Sequence, residues 1–401
     1  MGGKCELVRR GIYKIDGSPM TLRVDVQPAL YTWASERSRL DTEYLATKFP
    51  NLEAWKSGRA QPTLKQLETF ASTTHTPIGF LFLQEPPIER IPIPDFRTIS
   101  NSEVGRPSAD LLDTIYICQQ RQEWYRDYAA ANGEDRASIV GAATISGDAI
   151  VTAANMRRTF EFDVGERGNS WSEAVHLLSE SAEQLGVLVM VSGIVGSDTH
   201  RKLDPQEFRG FALIDERAPV VFVNGADSKA AQIFTIVHEL AHILLGVSGL
   251  SNPDLYLGSD VDIEHWCNQV AAEMLVPDAR LRVSYRQTDD LATELDRLAA
   301  EYRVSTLVVL RRIHDVGLMS RMQYHDAYAS EHDRVMAFFA ARSESGGNFY
   351  NTTPVRVSKR FARAIIANTL EGQTLYREAF RMLGFQKQAT FDHLSHTLGS
   401  T

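Results

Sequence analysis

One helix-length segment constrains this chain more than any other. Between Ile233 and Leu244 the side chains of Ile233, Phe234, Ile236, Val237, Leu240, Ile243 and Leu244 are apolar, and His238, Glu239 and His242 stand among them. A helix that is apolar on all sides is a buried helix, so the fold must lay other elements against more than one of its faces. Asp227 or Ser228 is placed to cap the periodic stretch Ala230–Leu245, and Gly246 to stop it. Two imidazoles and a carboxylate buried without partners are costly; a bound cation removes that cost. A polar stripe facing solvent is the competing reading, and the apolar flanks oppose it.

His238 and His242 are four residues apart. On a helix that spacing is about 40° around the axis, so both imidazoles leave one face and can meet one ion. Neutral imidazole suits Zn²⁺, and one zinc ion is the expected cofactor. Glu239 adjoins His238 and can reach a water at the ion without being a ligand, which is the place of a general base. A catalytic zinc needs a third protein ligand. The next helix, expected from about Asp262 to Leu275 and stopped by Pro277, offers Asp262, Glu264, His265 and Glu273. Glu264, 22 residues after His242, is favoured, because the interval fits a loop and then an antiparallel helix. Asn268 shares its face at i+4 and is the candidate to hold a ligand in place. Cys267 is a soft ligand in principle and a small buried residue by preference. His265 and Tyr256 are candidate donors to a transition-state oxyanion. Glu273, about 2.5 turns past Glu264, falls on the opposite face, where solvent exposure is expected.

Elsewhere the expectation is an α+β chain, mostly helical, with a small β-sheet packed on the HExxH helix and helical N- and C-terminal modules flanking it. Phe211–Ile214 and Val220–Val223 read as a hairpin, and Val187–Val191 as a further strand. Four modules are expected: a helical module over 1–83, a proline-rich connector and long helix over 84–160, a metallopeptidase core over 161–280, and a helical region over 281–401. Pro86, Pro87, Pro92 and Pro94 make 84–95 an extended connector. Residues 1–83 carry 11 basic and 8 acidic side chains, and 281–401 carry 16 and 13, which leaves 15 basic and 30 acidic in the middle. A middle that acidic opposes binding to a phosphate backbone. Arg311, Arg312 and Arg321 are candidate phosphate contacts, with a helical buttress as the preferred alternative. Arg356, Lys359, Arg360 and Arg363 suit partner docking or plain solvation.

His238-Glu-Leu-Ala-His-Ile-Leu-Leu-Gly246, followed by Glu264-x-x-Cys267-Asn268-Gln-Val270-Ala-Ala-Glu-Met-Leu-Val276-Pro277, resembles the ImmA/IrrE family of metallo-endopeptidases. Cys267, Val270 and Val276 replace the family's usual Ala, Phe and Met at packing positions. The resemblance implies His238, His242 and Glu264 as zinc ligands and Glu239 as catalytic base. It extends upstream through Val220–Asn224, which looks like the strand before the active helix. Relatives cleave a helix-turn-helix repressor after a stress signal, and others look like antitoxin partners. Leu45-Ala46, Trp55-x-x-Gly58-x-x-x-Pro62-Thr63, Leu67 and Ala71 look like a phage-repressor helix-turn-helix module, short by about a turn where a recognition helix should lie. Leu298–Arg312 is similar to a second helix-turn-helix-like element.

The function expected is therefore zinc-dependent cleavage of a protein partner, a repressor or toxin–antitoxin component. The alternative is an antitoxin or transcriptional regulator that acts by contact and keeps a vestigial or regulatory metal site. DNA is a further candidate partner, supported only by the weakly basic ends. Scattered Cys5, Cys118 and Cys267, no signal pattern, and no apolar run near the ~20 residues of a membrane span point to a cytoplasmic protein with no membrane partner.

Overall fold

The computed structural model describes residues 23–96, 106–251, 262–287, 290–340 and 349–399. They divide into two compact units, one ending at Arg90 and including Arg106–Ala109, the other made of the remainder.

Among its described residues the first unit holds four α-helices, α1 (Pro28–Ser38), α2 (Thr42–Lys48), α3 (Leu52–Lys56) and α4 (Leu64–Thr73), and a short 3-10 helix, Ile78–Phe82. Thr63 caps α4 in a reciprocal capping box with Gln66, and Asp41 caps α2 through the amides of Glu43 and Tyr44. Tyr31, Phe49, Trp55 and Phe70 form an aromatic cluster with ring centroids 5.4–6.3 Å apart. The stretch from Leu45 to Trp55, short for a recognition helix, holds the end of α2 and most of the 5-residue α3.

The second unit is built on a sheet of order β1-β3-β2-β4, with β1 (Leu188–Ser192), β2 (Gly210–Leu213), β3 (Val220–Asn224) and β4 (Gly249–Ser251). β2 and β3 form the expected antiparallel hairpin, β1 runs parallel to β3, and β4 adds antiparallel to β2. Every strand residue is buried, so both faces are covered. Alternation divides the strands between two cores. Val189, Val191, Ala212, Val221 and Val223 face one core. It is shared with α6 (Ala149–Thr159), α7 (Trp171–Gln184), α8 (Lys229–Leu245), α9 (Asp262–Leu275), α11 (Leu291–Tyr302) and α12 (Thr306–Asp315). Leu188, Met190, Phe211, Leu213, Val220, Phe222 and Leu250 face the other, with α5 (Ala109–Ala131), α15 (Lys359–Leu370), α16 (Tyr376–Leu383) and α17 (Gln388–Leu398). Three further helices, α10 (Asp278–Ser284), α13 (Arg321–Ala340) and α14 (Phe349–Val357), complete the unit. The architecture is α+β and mostly helical, with the small sheet packed on the HExxH helix. The sequence reading did not anticipate α6 or β4.

Long-range ion pairs correct several surface expectations. Lys359 pairs with Glu180 at 2.7 Å and Arg360 with Glu134 at 2.7 Å. The buried Glu183 carboxylate accepts hydrogen bonds from the Ser358 hydroxyl and the amides of Lys359 and Arg360. That part of the basic cluster is thus spent within the unit, on capping α15. Arg312 pairs with Glu273 of α9, as a helical buttress requires, and Arg311 pairs with Asp315 one turn along α12.

One buried cation holds the helix ends together. Arg167, 1% exposed, donates to the carbonyls of Leu275 at 2.7 Å, Tyr302 at 2.6 Å and Met274 at 3.0 Å. These are the last turns of α9 and α11, whose final carbonyls lack partners within their helices. Burial lowers its pKa to about 9, which leaves it charged at neutral pH. Arg167→Met is expected to cost on the order of 3 kcal/mol, because it strands several buried carbonyls at once. A thermal unfolding scan showing an unchanged midpoint would refute this role.

Candidate metal centre

α8 begins where Ser228 accepts a hydrogen bond from the Ala231 amide and ends at Gly246, whose φ of 70° is the left-handed stop expected there. Between these ends, His238, Glu239 and His242 are 0% exposed, as the apolar flanks require. Beneath Glu239 the sheet is thin. Gly210 of β2 stands between Val223 of β3 and Ser251 of β4 in the register. A Cβ at Gly210 would lie 2.5 Å from Thr235 Cγ2, 2.8 Å from the Phe222 carbonyl and 3.0 Å from Glu239 Oε1. Only glycine lets α8 sit this close. Gly210→Ala is expected to cost about 1–3 kcal/mol through overpacking and to displace Glu239; a variant with unchanged thermal midpoint and activity would contradict that.

α9 brings the third group. Glu264 Oε2 lies 3.2 Å from His238 Nε2, Glu264 Oε1 lies 2.9 Å from His242 Nε2, and the two Nε2 atoms are 3.2 Å apart. Among the described residues this is the only group of three or more His, Cys, Asp or Glu side chains whose donor atoms lie within 4.8 Å of one another. The two sequence-separated halves of the predicted set therefore meet.

The electrostatics suit a cation. Burial lowers the His242 pKa, which favours the neutral imidazole, against the opposing contact with Glu264. Burial also pushes Glu264 up, but the His238 and His242 imidazoles override it and hold the carboxyl at about 2. Glu239 is held well above the usual carboxylate range, first by burial and then by the Glu264 charge. The Ser251 hydroxyl opposes this rise, yet both Glu239 oxygens are buried with no hydrogen bond of good geometry, an expensive state that a neighbouring positive ion relieves. Two imidazoles and one carboxylate form a donor set appropriate to zinc.

Other candidates fall outside this cluster. His265 is exposed and shares a hydrogen bond of 2.8 Å with Gln269, so it faces away from the donor atoms and is not placed as an oxyanion donor. Asn268 Oδ1 is buried without a partner, and the Nδ1 atoms of both imidazoles are likewise unpaired, so the support expected from Asn268 is not formed. Glu273 is buried rather than exposed: α9 has helices on both sides, and the face opposite the site meets Arg312. Cys267 is not among the converging donor atoms, and burial first, then the charges of Glu264 and Glu239, raise its thiol pKa. Tyr256 lies outside the described residues.

Two neighbours were not anticipated. Ser251 Oγ lies 3.4 Å from His242 Nε2 and 3.5 Å from Glu264 Oε1. The Phe96 ring stacks on His242, with centroids 5.8 Å apart and planes 11° from parallel. No periodicity signals either; one ends a three-residue strand and the other follows a run of prolines.

Residues 182–314 match a peptidase-family model described as the IrrE N-terminal-like domain. The match spans the sheet, α8, α9 and the helices through α12, and it supports both the ImmA/IrrE resemblance and a metallopeptidase-type function. Residues 357–397 match a second model, described as a domain of unknown function. None of the curated proteins matches the chain. Among the described residues no helix is long and apolar enough to cross a membrane.

Proposed function

We propose that the chain is a zinc-dependent endopeptidase acting on a protein partner. What carries this reading is the convergence of His238, His242 and Glu264 within 4.8 Å beside the unpaired Glu239 carboxylate. When bound by the two imidazoles and Glu264, zinc supplies Lewis acidity toward the peptide carbonyl and acidifies water. Glu239 takes the proton of the attacking water at a carboxylate oxygen and passes it to the departing amine nitrogen. Glu264, fixed by contacts to both imidazoles, holds the rings in register.

The partner proposed is a repressor of the helix-turn-helix type or a toxin–antitoxin component encoded nearby, in keeping with the resemblance. Purified full-length protein loaded with zinc and mixed with the products of adjacent genes is expected to cut one of them at a defined bond. Cutting should stop with 1,10-phenanthroline and return with added zinc. A neighbouring product that binds tightly, stays intact and is fully controlled by the Glu239→Gln protein would instead establish a regulator acting by contact.

A further inference from the structure

We propose, resting on the metallopeptidase reading above, that the outer edge of β4 receives the substrate as an added extended strand, and that Pro94–Phe96 occupies that place in the resting chain. β4 has β2 on one side only. On its other side the Leu250 amide donates to the Pro94 carbonyl at 2.8 Å, and the Phe96 amide donates to the Leu250 carbonyl at 2.9 Å. Asp95 thereby pairs with Leu250 in a parallel bridge. This is strand addition: main-chain bonds that any peptide can make, plus one side-chain seat that selects.

The seat is specific. Phe96 lies over Gly249, where a Cβ would stand 2.3 Å from its Cε2 atom, and its ring rests flat on His242. Glycine at 249 is what admits the ring. β4 is also the strand that borders the donor atoms, through Ser251 Oγ at 3.4 Å from His242 Nε2. A peptide added to β4 thus runs beside the imidazole pair and sets an aromatic or flat apolar side chain where Phe96 now sits. The resident segment meets β4 through these two main-chain bonds and the Phe96 ring, while Ile91 and Ile93 pack on the second core. Pro94 and Asp95 are exposed and Phe96 is half-buried. Pro94 turns its main-chain groups toward β4 and has no amide proton, so it adds no further bond to that strand. The segment covers β4 and yet can be exchanged for a competing strand.

The full-length zinc-loaded protein provides the test. In Phe96→Ala and in Gly249→Ala, which leaves Phe96 intact but removes its seat, zinc extraction by 1,10-phenanthroline is expected to accelerate roughly tenfold, as a larger fraction of molecules has an open edge. A capped peptide copying Ile91–Phe96 should slow extraction from Phe96→Ala, and the same peptide with alanine in place of phenylalanine should not. Rates within twofold of the parent in both variants, with no peptide effect, would overturn the proposal. Should the parent hold no zinc, the metallopeptidase reading fails by itself. The strap is then judged by hydrogen exchange at the Leu250 amide: protection lost in Phe96→Ala and restored by the peptide supports it, and unchanged protection refutes it.

Discussion

Glu239→Gln is expected to retain its zinc and lose cleavage by roughly 10²–10⁴-fold, the usual contribution of a positioned general base. Glutamine matches glutamate in shape and keeps a side-chain oxygen for the Ser251 hydroxyl to approach. The packing of α8 should therefore survive, and the loss should be in turnover rather than metal affinity. Single-turnover cleavage of the identified substrate, with zinc content measured on the same sample, separates the two; full activity in the variant would remove Glu239 from the chemistry. The substitution has a second consequence in the metal-free chain. Burial and Glu264 raise the Glu239 pKa above its unfolded value, so the native state binds more protons there than the unfolded state does. Glu239's contribution to stability is then fully present below about pH 4.3, the unfolded value, and declines as pH rises above it. Glu239→Gln is expected to abolish that decline, so the parent and variant unfolding midpoints, measured with chelator present, should diverge as pH increases. Parallel curves would contradict the assignment.

His238→Ala is expected to reduce zinc affinity by on the order of 10²-fold or more. Structural zinc sites with four ligands bind with about 10–16 kcal/mol, so one ligand in four accounts for roughly 3 kcal/mol. Removing the imidazole also deprives Glu264 of one of the two groups that hold its carboxyl down. Glu264→Ala should have a similar effect on zinc, with the added cost of losing the contact between α9 and α8. Cys267→Ala should leave affinity unchanged, since its sulfur is not among the donor atoms that converge. Competition against a chromogenic chelator orders the three variants; equal affinity in His238→Ala and the parent would contradict the ligand assignment.

What the sequence could and could not convey follows from the range of the interactions involved. α8 was legible because its signals are local: a serine cap, an unbroken apolar surround, a terminal glycine, and two histidines one turn apart. Glu264 was legible because α9 has clear ends and the interval from His242 allows only a loop and a return. Ser251 and Phe96 were not. A strand of three residues carries no alternation, and a proline-rich connector gives no hint that its last residues pair with a sheet edge far along the chain. Glu273 was misplaced for a different reason. The helical wheel correctly sets it opposite Glu264, but the step from "opposite the site" to "in solvent" fails because α9 is enclosed. The basic residues Lys359 and Arg360 were equally opaque, since their partners Glu180, Glu183 and Glu134 lie more than a hundred residues away.

The central claim is that one zinc ion is held by His238, His242 and Glu264. Zinc K-edge X-ray absorption on the full-length Glu239→Gln protein measures this most directly. The expected spectrum has imidazole scattering from two rings and only nitrogen and oxygen neighbours at about 2.0–2.2 Å. A sulfur shell at about 2.3 Å, or the imidazole signature persisting unchanged in the His238→Ala protein, would contradict it.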